Sequence, residues 1–283
     1  MAILPAGPIV PAPEPLRRRY GLLTAAAGPL DLPARGEGGG LRYVPLTCGT
    51  ARGYGINCYD GQVASPAKPL DTVPDTVEAL PFLALATVAC NAVGWTEEEY
   101  RQFARRRLAS GEQGAVEQAF WNGLDFEDNP LEISTLSENA ETITIHDDLD
   151  MIHIVAALED YAYREQGYGY AAYIHAPVIA NAYAAEANLI VQDGQLQRTP
   201  YGSIWVFGGG YPGTGAAGAA PPAGGTYLHI TGQTTVWRSP EESVYSAFDR
   251  ETNQRLVVAE RAYAVAYDCF NGRALFDPLG GVS

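Results

Sequence analysis

The stretch from Thr96 to Gly123, TEEEYRQFARRRLASGEQGAVEQAFWNG, reads as one uninterrupted helix, and no other segment constrains the chain as strongly. Thr96 with Glu99 three residues on makes a capping box: the hydroxyl takes an orphan amide of the first turn, and the carboxylate reaches back to the cap. Glu97, Glu98 and Glu99 place negative charge at the positive end of the helix dipole. Tyr100, Phe103, Ala104, Leu108, Gly111, Ala115, Ala119 and Phe120 recur at helical spacing as an apolar stripe. Arg101, Arg105, Arg106, Glu112 and Gln113 occupy much of the rest, and Gly123 stands where a helix stops. At 1.5 Å per residue the rod is about 38 Å long. A rod of that length needs a sheet or further helices against its stripe. Gly111 and Gly114 weaken its middle, where a bend would fall.

A chain of 283 residues with 47% hydrophobic and 18% charged residues has ample core for one large or two modest domains. Its net charge of -15 argues against a general nucleic-acid binder, because phosphate contacts need clustered cations. Lys68 is the only lysine. Cys48, Cys58, Cys90 and Cys269 show no CxxC spacing, and the reading is buried free thiols in a reduced compartment rather than disulfides or a metal site. Prolines interrupt the N-terminus, which lacks the apolar core of a signal peptide, and the run from Pro81 to Trp95 is too short to span a bilayer. The expectation is a soluble cytosolic product with no membrane partner.

Residues 1–40 are a different material. Pro5, Pro8, Pro11, Pro13 and Pro15 favour an extended path, and Gly36 to Gly40 follow an Ala-rich patch. Such a segment buries too little to fold alone, so it is a tail or an arm ordered on a neighbouring chain. Ile3, Leu4, Ile9, Val10, Leu16, Tyr20, Leu22 and Leu23 favour the arm. Arg17, Arg18 and Arg19 are the candidates for contact with nucleic acid or an acidic neighbour, set against a solvated charge run.

Further along, Leu41 to Asp60 reads as an irregular hairpin or extended loop, and Val77 to Val93 as a buried strand entering the long helix. Asp147 or Asp148 caps a second helix, Leu149 to Gln166; Pro177 opens a third, Ala-rich one. Strands are expected at 142–146, 170–175, 189–191, 203–207, 226–230, 234–237, 242–248, 255–259 and 262–267, which makes the class α+β.

Chemistry is sparse. Gly213, Gly215 and Gly218 match GxGxxG, yet Pro221 and Pro222 prevent the helix that would receive a phosphate. His146 and His153 lie seven apart with no evident third ligand for a metal. Asp147, Asp148 and Asp150 are better explained by capping than as paired catalytic carboxylates. His175 and His229 read as ordinary partly buried residues, and the tyrosines from Tyr161 to Tyr183 as packing. No GxSxG elbow or HExxH is present. No catalytic residue, cofactor or metal is assigned.

The order of parts nonetheless resembles the Hong Kong 97-type major capsid protein of tailed bacteriophages, whose fold is shared with bacterial encapsulins. The stretches that carry the likeness are GEQGAVEQAFWNG, GYGYAAYIHAPVIANAYAAEANLI, RTPYGSIWVFGGGYP, TYLHITGQTTVWRSPEE and RAYAVAYDCFNGRALFD. The resemblance covers about Leu41 to Asp277 and rests on element order and texture. It implies an N-terminal arm (1–40), an E-loop (41–80), a peripheral domain with a long spine helix (81–148 and 233–283) and an axial domain (149–232). It implies a structural protein, not an enzyme, that self-assembles through hexamers and pentamers into an icosahedral head. That head encloses double-stranded phage DNA, held by weak contact. The partners implied are further copies of the chain and a separate scaffold, portal or decoration protein. The location implied is the virion capsid, assembled in the host bacterial cytoplasm. Some family members crosslink a lysine to an asparagine; Lys68 is the sole candidate, no general-base glutamate is assignable, and non-covalent assembly is the expectation. The alternatives are an encapsulin-type nanocompartment shell and, more distantly, an α/β enzyme with a site at Asp147, Asp148 and His153.

Overall fold

The computed structural model describes residues 20–45, 48–49, 75–91, 96–123, 131, 133, 135–145, 150–222 and 224–277. Arg17, Arg18, Arg19, Lys68, His146, Asp147 and Asp148 lie outside them. The described chain opens with α1 (Leu22–Ala25), β1 (Ala27–Asp31), α2 (Gly36–Gly39) and β2 (Leu41–Tyr43). β3 (Val77–Ala79) returns beside β2, and β4 (Pro81–Asn91) leads to α3 (Glu97–Asn122). β5 (Glu141–Thr142), α4 (Met151–Asp160), a π turn over Tyr161–Glu165, β6 (Tyr173–Pro177) and α5 (Ala180–Glu186) follow. β7 (Val191–Asp193), β8 (Leu196–Arg198) and β9 (Ile204–Gly208) come next. The chain closes through β10 (Thr226–Thr231), β11 (Thr234–Arg238), β12 (Ser243–Asp249), β13 (Gln254–Tyr267) and β14 (Asn271–Phe276).

Helix α3 starts where the capping box places it. The Glu99 amide donates to the Thr96 hydroxyl at 3.3 Å, and the Thr96 amide donates to the Glu99 carboxylate at 2.6 Å. It stays helical through Gly111 and Gly114 and ends on Gly123, at φ 67°. Its apolar stripe differs from the expected one. Phe103 is 44% exposed, and Ala115 is exposed too. Glu112 and Glu117 are buried instead. From Val116 to Asn122 all but Gln118 are buried, because the helix passes between two sheets there and loses its solvent face.

The first sheet is built on the 14-residue strand β13. β4 runs antiparallel along one side of it, from Pro81 opposite Ala264 to Asn91 opposite Gln254. β11 and β12 lie end to end along the other side, and β1 adds in parallel outside β11. Two separate strands were expected at 255–259 and 262–267; they are one. Period-2 alternation sends Phe82, Ala84 and Val88 toward α3. Leu83 and Leu85 on the other face are 54% and 38% exposed, so β4 is buried on one side only, contrary to the expected buried strand.

The second sheet has seven strands in the order β5-β14-β10-β6-β9-β8-β7. β6 and β9 pair in parallel, and every residue of both is buried. Ile174, Ala176, Trp205 and Phe207 pack with α4, α5 and the π turn, while Tyr173, Ile204 and Val206 join the core around α3. Parallel strands covered on both faces read as continuous apolar runs for this reason.

The segment around residues 20–32 does not wait for a neighbouring chain. Leu22 and Leu32 are buried in this chain's own core, the Phe207 amide donates to the Tyr20 carbonyl at 3.1 Å, and β1 is an edge strand of the first sheet. The apolar residues there satisfy intramolecular partners. Residues 1–19 lie outside the described part. Cys48 and Cys269, expected as free thiols, are joined in a disulfide across a sequence separation of 221. Spacing could not reveal it, since the fold alone brings the two positions together.

Candidate functional site: the buried junction of the long helix

The polar groups that the fold goes furthest to satisfy lie where the second half of α3 meets both sheets. Glu117 faces two backbone amides from distant parts of the chain. Its Oε1 accepts from Leu22 N at 3.0 Å, and its Oε2 accepts from Gly210 N at 2.8 Å. Two glycines permit the approach. A Cβ on Gly210 would lie 2.1 Å from the Gly114 carbonyl oxygen, and one on Gly21 would lie 2.6 Å from Glu117 Oε1. One side chain of the helix thereby ties the N-terminal segment and the loop after β9 to the same turn.

One turn earlier, Glu112 binds the first sheet. Its Oε2 accepts from Arg261 Nη1 at 3.0 Å and from the Tyr263 hydroxyl at 2.9 Å. Arg261 reaches on to Glu242 at 3.3 Å, and Glu242 meets Arg105 at 2.9 Å. At the start of the helix Glu97 accepts from Ser246 Oγ at 2.8 Å and pairs with Arg101 and Arg255. These bonds, the Ser246 hydroxyl first, draw the Glu97 carboxyl down to about 2. The interface of α3 with the sheet is therefore apolar in the middle and charged along one rim.

The end of α3 carries an aromatic node. Trp121 is fully buried and donates Nε1–H to the Thr214 carbonyl at 2.9 Å. Its ring centroid lies 5.0 Å from that of Tyr211 and 4.7 Å, edge-on, from that of His229. His175, fully buried, has Nδ1 at 3.0 Å from the Tyr211 hydroxyl and Nε2 at 3.1 Å from the hydroxyls of Thr231 and Thr234. Thr231 donates its own proton to the Gly232 carbonyl, so it accepts from His175 Nε2–H, and Nδ1 is left to accept from Tyr211. His229 Nδ1 lies 3.1 Å from Asn271 Oδ1, and Asn271 Nδ2 donates to the Leu136 carbonyl at 2.7 Å. Burial pushes both imidazoles down: His175 falls well below the usual histidine range, and His229 falls to about 4. Both rings are neutral at pH 7 and act as fixed hydrogen-bonding struts. Neither is the partly buried residue expected from sequence; full burial follows from their places on β6 and β10 under α3.

These groups fasten elements together, and no reactive pairing is built from them. His153, the described member of the acidic/His candidate, sits in the first turn of α4. Its amide and its Nδ1 each lie 2.9 Å from Asp150 Oδ1. Asp150 is thus the N-cap, rather than Asp147 or Asp148, and the His153 amide first of all holds its carboxyl below the usual range. The GxGxxG match lies in a loop with a single 3-10 turn at Ala216–Gly218. Among the described residues no group of three His, Cys, Asp or Glu could hold a metal ion. No helix among them is long and apolar enough to cross a membrane.

Sequence reasoning missed Glu112 and Glu117. A glutamate on a helix reads as solvated. The sequence offered no local signal for either, since the close approach of Gly210 to the helix depends on long-range packing.

No family model and no curated protein matches the sequence. Solved structures do match it over nearly the whole chain. The capsid of the native GTA particle aligns with a TM-score of 0.56 at 12% identity, covering 96% of this chain and 96% of that one. A chain of Microbacterium phage Oxtober96 aligns with a TM-score of 0.56 at 11% identity, covering 97% and 96%. A chain of Mycobacterium phage Ogopogo aligns with a TM-score of 0.53 at 14% identity, covering 96% of each. The chain has the mixed helix-and-sheet fold of phage capsid subunits, as the resemblance implied.

Proposed function

We propose that this protein is a structural shell subunit, a major capsid protein that self-assembles into the icosahedral head enclosing phage DNA. The observation that carries the reading is the end-to-end match to the capsid of the GTA particle, which leaves only 4% of this chain unaligned. The junction of α3 supports it. A subunit that repeats in a shell needs a stiff body, and Glu112, Glu117 and the two neutral histidines stiffen this one without forming a reaction centre. The role is structural rather than catalytic.

In this reading residues 1–40 are the arm, although its second half is already seated on its own subunit, and residues 41–80 are the E-loop. The peripheral domain is residues 81–148 and 233–283, with α3 as its spine, and the axial domain is residues 149–232. Copies associate as hexamers and pentamers, the acidic balance makes DNA contact weak, and Arg17, Arg18 and Arg19 are its candidates. A scaffold, portal or decoration protein is a further candidate partner. The location is the virion capsid, after assembly in the host cytoplasm. The sole lysine, Lys68, makes non-covalent assembly the expectation.

Negative-stain electron microscopy of the purified full chain tests the proposal. Closed hollow particles, rings or capsomers are expected. A monodisperse 30.3 kDa monomer under all conditions, with candidate scaffold included, would overturn it.

A further inference from the structure

We infer that Cys48 and Cys269 form a redox latch that fixes the β2–β3 hairpin to the turn between β13 and β14. The hairpin is a separate two-stranded sheet of three residues per strand. A two-stranded ribbon of that size is marginal in water unless something holds it. Among the described residues its non-covalent hold is a small apolar cluster, in which Ala79, Leu41, Tyr43 and Val77 pack on Leu32, Trp237 and three alanines of β13. The Tyr43 hydroxyl also donates to Asp268 Oδ1 at 2.6 Å.

The other side of the latch is rigid. The Asp268 amide donates to the Gln233 carbonyl at 3.0 Å and the Phe270 amide to the Asp268 carbonyl at 2.8 Å, while Phe270 itself is buried. A Cβ on Gly232 would lie 2.4 Å from the Asp268 carbonyl oxygen, so the turn is packed against the β10–β11 turn. The disulfide therefore joins a marginal element to a fixed one, and reduction frees the marginal one. Cys269 is exposed, so small thiols and disulfides reach the bond. Exposed disulfides belong to the labile class.

The chemistry balances with a small-molecule disulfide as oxidant. The thiolate of one cysteine attacks it and releases one small thiolate. The second cysteine's thiolate then attacks the mixed disulfide and releases the other. The two cysteines lose two electrons and two protons, and the oxidant becomes two thiols. In a reducing compartment the latch is open, and in an oxidising one it closes. It is a property of the single chain and stands whether or not the chain builds a shell.

The test uses the purified full chain after glutathione disulfide or after tris(2-carboxyethyl)phosphine, with free thiols alkylated. Met151 is the only internal methionine, so cyanogen bromide in formic acid gives two pieces, 2–151 carrying Cys48 and 152–283 carrying Cys269. In the oxidised sample they are expected to stay joined on a non-reducing gel and to part on reduction. Cys48→Ser is expected to abolish the linkage and Cys58→Ser to keep it. The folded protein is then digested with trypsin and cleavage after Arg42, whose side chain is exposed on β2, is timed by mass spectrometry. Cleavage is expected at least tenfold faster in the reduced wild type and in Cys48→Ser than in the oxidised wild type, with circular dichroism unchanged. Separate pieces in the oxidised sample, or a linkage that survives in Cys48→Ser, would overturn the pairing. A linkage with equal Arg42 cleavage rates would overturn the latch.

Discussion

Gly210 donates its backbone amide to Glu117 at 2.8 Å across a sequence separation of 93 residues, and the other oxygen of the same side chain takes the amide of Leu22. Three segments far apart in sequence meet at one fully buried side chain. Burying an amide without a partner costs about 1–3 kcal/mol, so a single acceptor holding two of them matters more than its size suggests.

Glu117→Gln tests this directly. The amide side chain keeps one acceptor oxygen and turns an NH2 toward the other donor, leaving one buried N–H unmatched. The expected loss is about 1–3 kcal/mol, which at about 2–4 °C per kcal/mol is visible in a thermal melt. Glu117→Leu should lose more, since both amides go unpaired. Equal melting temperatures for wild type and Glu117→Gln would show that the amides find other acceptors.

That junction also marks where sequence reading stopped. The start and end of α3 were legible because a capping box and a terminal glycine act within one turn. Most strands were legible in position, although β8 and the unbroken length of β13 were not. The outward turn of Phe103 and the burial of Glu112 and Glu117 were not, because a helical wheel shows which residues share a face and not how many layers surround the helix. The seating of Leu22 and Leu32 was missed for a related reason: prolines and glycines show that a segment is irregular, and irregular segments can still fill a gap in a core. The Cys48–Cys269 pairing depends on long-range topology alone.

The exposure of Phe103 reverses one expectation about the helix. Leu108 is 2% exposed in the core, and Leu108→Asp should unfold the subunit or abolish soluble yield. Phe103→Asp, at a half-open position, should cost far less and leave a folded protein by circular dichroism. Comparable loss of soluble protein in both variants would mean that the helix is rotated from the orientation described.

Truncations separate the two halves of the N-terminal segment. Removing residues 1–35 strips Leu22, Ala25 and Leu32 from the core, takes β1 from the first sheet and leaves Glu117 without one donor. Burial of such side chains is worth about 1.5–3 kcal/mol each. The chain lacking 1–35 should therefore be much less stable to urea than the chain lacking 1–19. Identical unfolding midpoints would show that residues 20–35 do not belong to the subunit core.

The two buried histidines give the fold an acid limit. His229 titrates at about 4 when folded, against about 6.5 when unfolded, and His175 is shifted the same way. The folded state therefore binds fewer protons than the unfolded state between these values. Stability from this source is complete above about pH 6.5 and is lost as pH falls toward about 4, by about 3 kcal/mol for His229. Urea midpoints measured from about pH 8 down to about pH 5 should fall more steeply for wild type than for His229→Gln. Parallel slopes would assign the acid sensitivity to other groups.

Two glycines near the same turn of α3 should respond in opposite directions to an added methyl. Gly111 lies on the helix with open space where a Cβ would stand. Alanine there adds helix propensity and removes unfolded-state freedom, for a gain of about 0.5–1 kcal/mol. Gly210 faces the helix backbone, where a Cβ would lie 2.1 Å from the Gly114 oxygen and 2.8 Å from its carbonyl carbon. Backbone cannot step aside as a flexible side chain can, so Gly210→Ala must push the loop off α3 and pull its amide away from Glu117. The melting temperature should rise for Gly111→Ala and fall for Gly210→Ala, and the Glu117→Gln change should cost less in the Gly210→Ala background because its hydrogen bond is already broken. If Gly210→Ala is neutral and the two effects simply add, the loop does not press on the helix and Glu117 does not hold it there.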